Sequence, residues 1–127
     1  MPVCTVDDQL SERYQKDLKK LRRQLPHIDE DLGAAFGRIE SSYASACSAA
    51  ALLGFKGAVW KYRVSSQDAG SGSSQALRVI AYLDVETQKL YPVLLYHKAK
   101  RADAKPTDIR KAISELKATL QAELPEG

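Results

Sequence analysis

The chain has 127 residues, 44% of them hydrophobic and 28% charged, with a net charge of +3. That length suits one domain over residues 1–127, large enough to bury a core without staples, and the composition is ordinary for a soluble globular protein. Cys4 and Cys47 make neither a disulfide framework nor a Cys-x-x-Cys metal site, and no apolar run reaches membrane-spanning length. No metal, cofactor or membrane partner is therefore expected. No signal-peptide pattern opens the chain, and a reducing cytoplasm is the expected compartment.

Leu10, Tyr14, Leu18, Leu21 and Leu25 recur at steps of four and three, which predicts an amphipathic helix. Its other side carries Lys16, Lys19, Lys20, Arg22 and Arg23, and Pro26 ends it. A second apolar stripe runs through Ile28, Leu32, Ala35, Ile39, Tyr43, Ala46, Ala50 and Leu53, with Asp29, Glu30 and Asp31 at its positive dipole end. The two stripes predict an N-terminal helical hairpin, stopped at Gly54.

Three alternating runs follow: Trp60 to Val64, Leu77 to Leu83, and Tyr91 to Lys98. The connections, Ser65 to Gln75 and Asp84 to Lys89, are too short for parallel crossovers, so a three-stranded antiparallel meander is expected. Pro92 lacks a backbone donor and predicts an edge position or a bulge. After the basic run Lys98 to Lys105, a C-terminal helix is expected from about Thr107, burying Ile109, Ile113, Leu116, Leu120 and Leu124. The fold class is α+β, in the order α-α-β-β-β-α.

The charge is unevenly spread. Residues 54–111 carry 11 Lys/Arg against 5 Asp/Glu, whereas residues 1–53 carry 7 against 8. A local excess of this kind points to an anionic partner. Strand alternation puts Trp60, Tyr62 and Val64 on one face, and Tyr91, Val93 and Leu95 on one side of the last strand. The opposite face collects Lys61, Arg63, Arg78, Tyr82, Tyr96 and Lys98. Cations interleaved with tyrosines suit a phosphate backbone with stackable bases, the outline of a single-stranded RNA surface.

The order of elements, the W-K-Y-R-V strand at 60–64, the L-R-V-I-A-Y-L-D strand at 77–84 and the Y-P-V-L-L-Y-H-K-A run at 91–99 resemble the RelE/ParE toxin superfamily, closest to its RelE/HigB-like branch. The likeness spans about Leu10 to Leu116. Gln75 and Ala76 stand where many relatives carry a Gly-Gly pair. The resemblance implies a RelE-like fold with helices on one sheet face and a basic concave face on the other. It also implies a toxin of a type II toxin–antitoxin pair: an mRNA endoribonuclease of a family that often, but not always, acts on the ribosome, without a metal, and restrained by a cognate antitoxin. Family positions fall on Lys61, Arg63, Arg78, Tyr96 and Lys98 as the catalytic set.

Such cleavage needs a base for the 2′-hydroxyl proton, cations for the phosphate and an acid for the 5′-oxygen. Arg63 and Arg78 suit the phosphate clamp, because a guanidinium fork matches phosphate oxygens. Lys61 or Lys98 is the expected base, and Tyr96 either stacks on a base or serves as acid. Tyr82, His97, Lys100 and Arg101 complete the expected RNA-contacting set. An imidazole suits acid–base work near neutrality, but alternation turns His97 toward the helices. Two other readings fit the same pattern: a ParE-like gyrase inhibitor without nuclease activity, and a non-catalytic RNA-binding module.

Overall fold

A computed structural model of the chain describes residues 5–41, 50–51, 58–68, 76–84, 86–98 and 104–123. In chain order these form β1 (Thr5–Val6), α1 (Glu12–Arg22), α2 (Ile28–Ser41), β2 (Ala50–Ala51), β3 (Val59–Val64), β4 (Leu77–Asp84), β5 (Lys89–His97) and α3 (Pro106–Glu123). The architecture is α+β. The strands form one sheet in the order β1-β5-β4-β3-β2.

The sheet is mixed, which corrects the expectation of a purely antiparallel meander of three strands. β3, β4 and β5 do pair antiparallel in sequence. β1, however, runs parallel to β5, with Thr5 opposite Lys89 and Val6 opposite Leu90. β2 adds antiparallel to β3, with Ala50 opposite Lys61. Both additions are two residues long, too short to show a period of two. β2 also lies in the Ala-rich run read as the end of the second helix, where cross-strand pairing overrides helix propensity. Tyr43, Ala46, Cys47 and Leu53 lie outside the described residues.

Ser11 caps α1, its hydroxyl accepting from the Tyr14 N–H at 3.2 Å. The apolar stripes of α1 and α2 then close over one sheet face, with Tyr14, Leu18, Ile28 and Leu32 against Tyr62, Val79, Ala81 and Leu95. α3 begins at Pro106, one residue before the expected cap, where a missing N–H costs nothing. Its stripe of Ile109, Ala112, Ile113 and Leu116 packs on the opposite face, against Ile80, Val93, Leu94 and Tyr96. Helices therefore cover both faces, not one.

A bulge in β5 sets which side chains meet α3. Ile80 pairs with Leu94 but Ala81 pairs with Pro92, so Val93 is an extra residue in the strand. The position follows from Pro92, which cannot donate to the ladder. As a result Tyr91, Val93, Leu94 and Tyr96 all join the α3 side, while Leu90 and Leu95 join the α1–α2 side. The simple alternation expected for Tyr91 and Val93 is corrected by this one inserted residue.

Beyond β1, the outer edge of β5 is closed by a side chain. The Leu95 N–H donates to the Asp17 carboxylate of α1 at 3.0 Å, and Leu95 is 1% exposed. Replacing Asp17 with Ala leaves that donor buried and unmet, and should lower stability by about 1–3 kcal/mol. Asp17→Asn, which keeps an acceptor, should lose less. The midpoints of urea unfolding for the two variants measure the difference.

Candidate nucleic-acid interface

Directly opposed residues of antiparallel strands share a face, so the register arranges the α3 side of the sheet in rows. Arg63, Arg78 and Tyr96 form one row; Lys61, Ile80 and Leu94 form the next; Val59, Tyr82 and Tyr91 form the third. α3 lies over the β4–β5 side of these rows. Lys61, Arg63 and Arg78 share the face but belong to neither apolar cluster.

Arg63 and Arg78 are direct cross-strand neighbours. Their Cβ atoms are then about 4.5–5.5 Å apart, a spacing at which like charges destabilise a sheet. Arg63 is exposed and Arg78 half-buried, with one guanidinium N–H donating to the Leu77 carbonyl at 3.2 Å. Lys61, half-buried, is two residues from Arg63 on the same face, and exposed Lys98 follows the end of β5. The Lys98 N–H donates to the Ala76 carbonyl at 3.0 Å, which holds the end of β5 beside the start of β4. Two guanidinium groups thus stand at one sheet end with a lysine beside them, the donor types that suit an anion with several oxygens.

The other expected residues are placed differently. Tyr96 is 3% exposed beneath α3, and its hydroxyl lies 3.5 Å from the Ala104 N–H just before that helix. A ring so enclosed offers no face to a base, which corrects its expected stacking role; it seats the start of α3 instead. Tyr82 is half-buried, with the Lys117 ammonium of α3 5.2 Å from its ring centre, so an internal cation occupies one face. His97 pairs with Leu77 on the α1–α2 side, away from the arginines. Its Nδ1 is buried and meets no hydrogen-bond partner among the described residues. Lys100 and Arg101 lie outside the described residues.

Among the described residues, two clefts border α3. The larger, about 910 Å³, lies by its last turns, where Leu10, Tyr82, Tyr91 and Leu120 meet Asp7, Asp84, Lys89 and Lys117. Burial raises the Tyr91 hydroxyl above the ordinary tyrosine value, which keeps it protonated. The balance of two carboxylates and two ammonium groups gives this cleft no preference for an anion, unlike the arginine row. The smaller, about 340 Å³, lies between α1 and α3 beside the Arg13–Glu115 ion pair.

The loop from β3 toward β4 separates Arg63 from Arg78 in the chain, and its start is clamped to α2. The Asp68 carboxylate accepts from the His27 N–H at 2.7 Å and meets His27 Nδ1 at 2.8 Å. Asp31 reciprocates, accepting from the Gln67 N–H and side-chain amide, each at 3.0 Å. Hydrogen bonding to Asp68, aided by the charges of Glu30 and Asp31, raises His27 above the ordinary imidazole value. The same contact lowers Asp68 below the usual carboxylate range. The His27 contribution is thus full below the ordinary imidazole value and lost as pH rises through its raised one. The Asp68 contribution is lost at the acid end, as pH falls through its depressed value. Amide exchange at Gln67 and Asp68 should accelerate as pH rises through the His27 titration, beyond the intrinsic trend, and His27→Gln should abolish the step.

Among the described residues, no group of three or more His, Cys, Asp or Glu side chains is placed to hold a metal ion, and no helix is long and apolar enough to cross a membrane. No protein-family model matches the chain, and no curated protein matches it.

Proposed function

We propose that the chain is an RNA endonuclease toxin of RelE/HigB-like type, cutting mRNA through the Arg63–Arg78 end of the sheet. The observation that carries this reading is the direct opposition of two arginines on one sheet face, with Lys61 beside them. Directly opposed like charges cost a sheet stability, and an RNA phosphate between the two arginines would offset that cost and be gripped by both. The W-K-Y-R-V and L-R-V-I-A-Y-L-D resemblance supports the same assignment, since it aligns its basic positions with these residues.

In this mechanism Arg63 and Arg78 hold the scissile phosphate and stabilise the charge that develops on it. A base removes the 2′-hydroxyl proton, the 2′-oxygen attacks phosphorus, and the P–O5′ bond breaks as an acid protonates the leaving oxygen. With Tyr96 enclosed, Lys61 and Lys98 are the proton-transfer groups of the described residues on this end of the sheet. The cations supply the stabilisation themselves, so no metal is called for. The cytoplasmic partners are translated mRNA on the ribosome and an antitoxin whose acidic or amphipathic segment covers the basic end.

The enclosure of Tyr96 favours a second reading, in which the same surface binds RNA without cutting it. Purified protein incubated with mRNA during translation, and separately with gyrase and relaxed plasmid, separates the possibilities. Shortened mRNA with supercoiling unaffected supports the nuclease. Retarded but intact RNA supports passive binding, and blocked supercoiling supports a ParE-like inhibitor.

A further inference from the structure

We infer that the outward side of α1 is a second phosphate-binding surface, one that takes the backbone of double-stranded RNA. Lys16, Lys19, Lys20 and Arg23 are all exposed and follow helical steps on the side opposite buried Tyr14 and Leu18. Arg23 continues the spiral, because its backbone stays right-handed at φ −67° and ψ −32°. The favourable dipole at a helix C-terminus accounts for cations in the last turn but not for Lys16, which precedes it.

Two other arginines bracket the ridge with ion pairs to the neighbouring helices. Arg13 bonds Glu115 of α3 through two contacts at 3.0 and 2.8 Å, and Arg22 bonds Asp29 of α2 at 2.7 and 2.8 Å. Glu115 and Asp29 are thereby engaged by Arg13 and Arg22; Glu12 precedes Lys16 by one turn, Lys16 and Lys20 border the cleft beside Glu115, and all four ridge cations stay exposed. Lys16 to Arg23 spans about 10 Å at 1.5 Å per residue, room for about three phosphates of one strand.

The chemistry selects the backbone of a duplex over other anionic partners. A protein interface is built around apolar or aromatic anchors, and the ridge offers none. Stacking on single-stranded bases needs exposed rings, and the one aromatic residue of α1, Tyr14, is fully buried. Cations without rings or base-reading side chains hold phosphates irrespective of sequence. This inference does not depend on cleavage at the sheet, and it is tested by binding alone.

The test is fluorescence anisotropy of a blunt RNA duplex and of a single strand of equal length, across a salt series. The variant Lys16→Gln/Lys19→Gln/Lys20→Gln/Arg23→Gln should weaken duplex binding about 10²-fold at 0.1 M salt and make the slope of log K against log salt shallower by about 2–3. Lys16→Gln/Lys20→Gln should give about half that change in slope, and serves if the fuller variant folds poorly. An unchanged duplex slope in both ridge variants would overturn the inference. Displacement of the duplex by polyglutamate at equal charge would overturn it too, in favour of an acidic protein partner.

Discussion

Arg78→Ala is expected to slow RNA cleavage by at least about 10²-fold, the scale lost when one charge-stabilising donor is removed from a phosphoryl or acyl transition state. Arg78 sits mid-sheet, between Arg63 and Tyr96, and its half-buried position limits what solvent can supply in its place. Arg78→Lys should recover only part of the rate, because a lysine keeps the charge but not the fork that meets two oxygens. Arg63→Ala should cost less, since Arg63 is exposed and water replaces part of its contribution. The double variant should fall well short of the product of the two losses, as groups gripping one phosphate do. Single-turnover cleavage rates measure all four. Thermal unfolding of each variant, run beside the kinetics, separates a lost charge from a lost fold.

The second large effect is structural. Leu94→Ala should destabilise the fold by about 2–5 kcal/mol, the usual cost of truncating a buried leucine. Leu94 is 1% exposed, shares a row with Ile80 and lies under the α3 stripe of Ile109, Ala112, Ile113 and Leu116. A loss below about 1 kcal/mol in denaturant unfolding would mean that α3 does not seat on this face. At temperatures where the variant is still folded, cleavage should persist. That contrast separates the covered half of the face from the arginine end.

Much of the fold was legible in the chain. The alternating runs at 60–64, 77–83 and 91–98 correspond closely to β3, β4 and β5, because period-two patterning with β-branched and aromatic residues is a strong local signal. What alternation gives is two faces, not what covers each. The face that holds Lys61, Arg63 and Arg78 also holds Ile80 and Leu94, and the stripe of α3 needed an apolar acceptor. Those two facts together contained the α3 placement, and with it the enclosure of Tyr96. The bulge was signalled by Pro92, but its consequence for Tyr91 and Val93 depends on the partner register, which is a non-local property. β1, the clamp between His27 and Asp68, and the Asp17 bond to Leu95 join residues far apart in sequence and left no local trace. The opposition of Arg63 and Arg78 is of the same kind: alternation put them on one face, and only the register makes them neighbours.

The most direct measurement is a coupled translation reaction on a defined mRNA, with 5′ ends mapped for the wild-type protein and for Arg63→Ala/Arg78→Ala. Discrete new ends with the wild type, absent with the variant, are the predicted result and place RNA cleavage on the arginine end of the sheet. Intact mRNA and undisturbed translation with folded wild-type protein would contradict it.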